Sequence, residues 1–102
     1  MPSEASTNSD SGAPRAARRL KVFLPAMLTR GGVDLRVHLL DISSTGALLH
    51  ATMAIPANEQ IVLRWEGLTW SGTVMWSAGN RFGIAFAREI AEEQIAQVLG
   101  AK

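Results

Sequence analysis

Val33-Asp-Leu-Arg-Val-His-Leu39, Leu40, Asp41-Ile-Ser-Ser-Thr-Gly46 and Ala-Leu-Leu-His-Ala51 follow one another without interruption. In the first seven residues Val33, Leu35, Val37 and Leu39 alternate with Asp34, Arg36 and His38. That period of two belongs to a strand with one face buried and one wet. Asp41 to Thr45 reads as a polar turn, because Asp, Ser and Thr bond to nearby backbone amides and Gly relaxes the chain. Gly46 to Ala51 reads as the next strand.

Working outward, Lys21 to Thr29 is a strand, and Pro25 within it implies an edge position or a bulge. Arg30-Gly-Gly is a turn. Downstream, Thr52 to Glu59 is a loop containing Pro56, and Gln60 to Trp65 a fourth strand. Glu66-Gly67 forms a hairpin turn. Leu68 to Ser77 is a fifth strand with Gly72 as a bulge. Ala78-Gly-Asn80 is a second hairpin turn, and Arg81 to Ala87 a sixth strand. Glu89 to Leu99 has the helical spacing Ala91, Ile95, Val98, Leu99. Glu89, Glu92 and Glu93 sit where they complement the positive end of the helix dipole, and Gly100 supplies a stop. The expected fold is all-β: a six-stranded antiparallel barrel with a C-terminal α-helix on one opening.

With 102 residues the chain makes one domain with a modest core. Residues 1–14 are rich in Ser, Ala, Asn, Gly and Pro without periodicity, and read as a disordered tail. The domain proper is expected over residues 15–100. No apolar run approaches the ~18 residues of a membrane span, and the N-terminus has no signal-peptide pattern. The absence of Cys excludes disulfides and thiolate metal sites. The expected location is the cytoplasm, without membrane insertion.

The net charge of +1 hides an asymmetry. Arg15, Arg18, Arg19, Lys21, Arg30 and Arg36 lie in a segment with one acid, Asp34. So small a basic focus suits a small anion better than a long polynucleotide. Two polar motifs stand out. Arg15-Ala-Ala-Arg-Arg19 is an RxxxR in the arm before the first strand; its guanidinium forks suit phosphates and the acceptor edge of guanine. Asp41-Ile-Ser43-Ser-Thr-Gly46 is a DxSxxG after a well-phased strand, which gives the Asp41 side chain a fixed direction.

Other chemistry is sparse. His38 and His50 fall on different strands with no ligand cluster, which argues against a metal site. Ser43, Ser44 and Thr45 lack a base for nucleophilic catalysis. No catalytic constellation is present, so the chain is not expected to be an enzyme. Trp65, Trp70 and Trp76 read as core or rim residues; Trp76 alone runs toward a hairpin end where an aromatic face can meet a purine.

The order RxxxR, strand, DxSxxG, Val74-Met-Trp76 and Phe82-Gly-Ile-Ala-Phe86 resembles the PilZ domain family from Arg15 to about Leu99. The resemblance implies a receptor or adaptor that binds cyclic di-GMP, a bacterial second messenger, and relays the signal to a protein partner. It also implies the roles of the residues. Arg15 and Arg19 would grip phosphates and the Hoogsteen edges of guanine. Arg18 would add a phosphate contact or a stack. Asp41 and Ser43 would meet a guanine base, and Gly46 would be the turn glycine. A constitutive interaction domain of the same fold, without nucleotide, is the alternative. An oligonucleotide-binding barrel would show more exposed aromatics and a broader basic face. No cofactor is expected.

Overall fold

The computed structural model describes residues 19–101. The expected tail over 1–14, together with Arg15 and Arg18, lies outside the described residues. Six strands appear in chain order: β1 (Leu20–Arg30), β2 (Val33–Ile42), β3 (Gly46–Ala51), β4 (Gln60–Trp65), β5 (Leu68–Ala78) and β6 (Arg81–Phe86). One helix follows, α1 (Glu92–Gly100). The strands close into an antiparallel barrel in the order β1-β2-β3-β6-β5-β4. The expected fold class is therefore the observed one.

Alternation builds the core. Leu24, Leu39, Leu49 and Phe82 are matched across β1, β2, β3 and β6 and all point inward. Leu28, Leu63, Val74 and Ile55 complete the packing with no solvent exposure. Trp65 and Trp70 are buried, and the Trp70 indole N–H donates to Gln94 Oε1 at 2.8 Å, tying α1 to β5. Val98 is the fully buried anchor of α1, and Ile95 packs against the core from the same face.

Closure rests on a short seam. β1 meets β4 only at Met27, Leu28 and Thr29, so Leu20–Ala26 has β2 on one side alone. Pro25 lies in this half, opposite His38, where a missing N–H costs the barrel least. The edge reading of Pro25 fits; the irregularity in β1 lies between Lys21 and Leu24. At the far end, Arg30 donates through Nε and Nη2 to Glu59 at 2.6 and 2.9 Å, fastening the β1–β2 hairpin to the loop before β4. These bonds hold the Glu59 carboxyl below its ordinary pKa and raise that of Arg30.

Four expectations change. β2 runs on to Ile42, so Asp41 is a strand residue and not part of a turn. The register shifts between Leu39 and Asp41, making Leu40 an extra residue in the ladder. That shift turns Asp41 outward while Ile42 enters the core. Gly72 is not a bulge. It is regularly paired with Ile61 and Phe86, and the β5 irregularity falls between Val74 and Trp76. Glycine is needed at 72 because a Cβ there would meet the Ala85 carbonyl oxygen at 2.6 Å. The sixth strand ends at Phe86. Finally, α1 begins at Glu92, since Ile90 is buried and its N–H is taken by the Ser44 carbonyl at 2.9 Å.

Candidate functional site

The side chains that share the outer face of the barrel follow from the register. Lys21, Asp41, Leu48, Gly83 and Trp76 are matched in turn across β1, β2, β3, β6 and β5. Leu48 lies between the buried Ala47 and Leu49, Gly83 between the buried Phe82 and Ile84, and the buried Ile42 follows Asp41, so this row lies on the exterior. It joins the carboxylate of one motif to the exposed tryptophan by way of a floor formed by Leu48 and Gly83.

Asp41 occupies one end. Its carboxylate accepts from the Arg19 guanidinium at 2.6 Å, with the Asp41 side chain 14% exposed and that of Arg19 52% exposed. The last arginine of RxxxR and the first residue of DxSxxG are thus in direct contact. Trp76 occupies the other end, 44% exposed. Its indole lies over Gly83 so closely that a Cβ at 83 would overlap the ring. Gly83 is therefore a seat for Trp76, a role that no local pattern in the sequence reveals.

The turn between β2 and β3 is a tightly bonded piece of backbone. Ser43 is buried, and its Oγ accepts from the amides of Thr45 at 3.2 Å and Gly46 at 3.1 Å. The Ser43 amide donates to the Gly46 carbonyl at 2.8 Å. Thr45 and Ser44 then accept, through their carbonyls, from the amides of Phe86 and Ile90. The turn is sewn to the end of β6 and to the segment entering α1. Ser43 thus sits beneath the site, holding the turn. Gly46 opens β3 without a left-handed backbone, and its missing Cβ gives room to the Ile84 carbonyl.

Ser43→Ala should accordingly lower stability. Gly46 would keep a buried N–H without its acceptor, at a cost of about 1–3 kcal/mol. For a domain of this size the melting temperature should fall by roughly 4–20 °C. A calorimetric scan showing no shift would remove the structural role argued for this hydroxyl.

Of the expected site residues, Arg19 and Asp41 are in contact, Ser43 and Gly46 belong to the adjoining turn, and Trp76 stands three strands from Asp41 along the same row. The sequence reading missed Leu48 and Gly83, which form the floor. Two concavities of about 340 and 400 Å³ lie elsewhere, one beside Trp70, Arg88 and Gln94, the other beside Arg30, Val33 and Met53. Among the described residues no group of three or more His, Asp or Glu is placed to hold a metal ion. No helix among them is long and apolar enough to cross a membrane.

No curated protein matches the chain. Among solved structures, the barrel is similar to one described as the PilZ domain of CeSA from a cellulose-synthesizing bacterium. The TM-score is 0.61 with 18% sequence identity, over 82% of this chain and 97% of that one. This likeness concerns the fold. The family model for the PilZ domain matches residues 13–101, which covers both motifs, all six strands and α1. The chain belongs to the PilZ domain family.

Proposed function

We propose that this protein is a cyclic di-GMP receptor without catalytic activity, and that it passes the signal to a protein partner. PilZ is a family known for cyclic di-GMP binding, and its members are binding or adaptor domains rather than catalysts. The observation that carries the reading is the 2.6 Å contact between Arg19 and Asp41 at the edge of a floor bounded by Trp76. A guanidinium fork and a carboxylate in contact, with an exposed indole on the same exterior row, are groups suited to a phosphate, a guanine edge and a purine face.

In this reading the guanine amino and imino N–H groups donate to Asp41, displacing Arg19. The freed Arg19 turns to a phosphate or to the Hoogsteen edge of the base, joined by Arg15 and Arg18 from the arm. Trp76 offers a ring face to a purine. Ser43 and Gly46 act through the shape of the turn. The exchange is favourable on magnitudes. An exposed ion pair such as Arg19–Asp41 is worth ~0.2–1 kcal/mol. Each new charge-assisted hydrogen bond contributes ~1.5–3 kcal/mol. Ordering the arm costs ~2–5 kcal/mol, and micromolar binding requires about 8 kcal/mol. Two or three arginines together with Asp41 reach that requirement when each guanidinium fork and the carboxylate make two such bonds; one arginine does not.

Isothermal titration calorimetry with cyclic di-GMP tests the reading, with GTP and cyclic di-AMP as comparisons. Selective heat with cyclic di-GMP is expected. A folded protein giving no heat at high micromolar ligand would leave the interaction-only domain as the better account.

A further inference from the structure

Beside the candidate site runs a second exterior row that the nucleotide reading does not use. Pro25, His38, His50, Arg81 and Ala78 are matched across the same five strands. Phe23 stands over this row, its ring stacked on His38 with centroids 4.8 Å apart and planes 11° from parallel. One face of Phe23 is thereby occupied, yet the residue remains 67% exposed. An outward phenylalanine that rests on a histidine and presents its other face to water is an anchor without a pocket.

The charge around it is one-sided. Lys21, Arg36 and Arg81 are exposed on β1, β2 and β6, and none has an ion-pair partner among the described residues. The carboxylates on β1, β2, β3 and β6 are Asp34 and Asp41, and both are already engaged, by Arg64 and Arg19. His38 and His50 add ring N–H donors between Phe23 and Arg81. We propose that the stripe Phe23–His38–His50–Arg81 is a docking surface for a protein partner. The partner segment would carry carboxylates on either side of an aromatic side chain. The carboxylates face Arg81, Arg36 and Lys21, while the aromatic covers the open face of Phe23. Arginine and aromatic residues are the groups that most often anchor protein interfaces. Three fixed cations are too few for the multiple phosphate contacts on which nucleic-acid binding depends. The proposal does not rest on nucleotide binding, and its test is run with no nucleotide present.

The probe is the acidic copolymer poly(Glu,Tyr), with poly-Glu and duplex DNA as comparisons, followed by backbone NMR of the full chain. Poly(Glu,Tyr) should bind more tightly than poly-Glu, with shifts centred on residues 23, 38, 50 and 81. Arg81→Glu should weaken it at least ~tenfold, about 1.4 kcal/mol. Phe23→Ala, a change at an exposed position, should erase the preference for poly(Glu,Tyr) over poly-Glu. Arg88→Glu, exposed but beyond the end of β6, should leave binding unchanged. The proposal is overturned by an absence of binding, by equal binding of poly-Glu, by tighter binding of DNA, or by shifts centred on Arg30, Arg64 or Arg88.

Discussion

Alanine at Asp41 is expected to weaken cyclic di-GMP binding at least ~tenfold, and alanine at both Arg15 and Arg19 to remove measurable binding. Each change deletes a charge-assisted contact worth ~1.5–3 kcal/mol, and a factor of ten is about 1.4 kcal/mol. The double arginine variant loses two such terms while the binding energy needed stays the same. Folding should be spared. Asp41 projects outward from β2, and its ion-pair partner Arg19 is half exposed. Asp41→Asn sharpens the result, since it keeps the shape and removes the charge; it too should bind poorly. Calorimetry alongside circular dichroism reads both quantities. Unchanged affinity in folded Asp41→Ala would show that the carboxylate serves the arm of the free protein and not a ligand.

The largest loss of stability should come from Gly46→Ala. The added methyl meets the Ile84 carbonyl within the β3–β6 ladder, and that atom belongs to backbone that cannot swing aside. Overpacking costs ~1–3 kcal/mol and sometimes more; a clash with paired backbone belongs at or above the top of that range. Gly31→Ala is the comparison. Gly31 has φ +56° in open space, so alanine there faces only the left-handed penalty of about 1–2 kcal/mol. Urea denaturation should give a clearly lower midpoint for Gly46→Ala. A midpoint at or above that of Gly31→Ala would mean that the two strands part easily at this position.

The contrast between these glycines explains what the sequence could disclose. Strand phase was legible wherever polar and apolar residues alternate, as from Val33 to Leu39, because the period is written in neighbouring side chains. The pair Leu39-Leu40 hid the bulge that carries β2 past Asp41, since two adjacent leucines look the same whether the ladder is regular or not. Gly46, Gly72 and Gly83 are small because of atoms on other strands: Ile84, Ala85 and Trp76. Local rules place glycine in turns, and these three lie within strands. The motifs themselves were readable as polar chemistry, and the meeting of Arg19 with Asp41 was consistent with them. The burial of Ser43 was not readable, because it depends on the closure of the turn onto Phe86 and Ile90.

The seating of one indole on Gly83 has a consequence for light. The chain has three tryptophans and no tyrosine. Trp65 and Trp70 are shut inside, and Trp76 alone meets solvent. Ultraviolet emission therefore divides into a buried pair and one surface fluorophore, with acrylamide reaching the second most readily. A purine laid over that ring would shield it from the quencher, so the barrel carries an intrinsic gauge of whether its outer floor is covered.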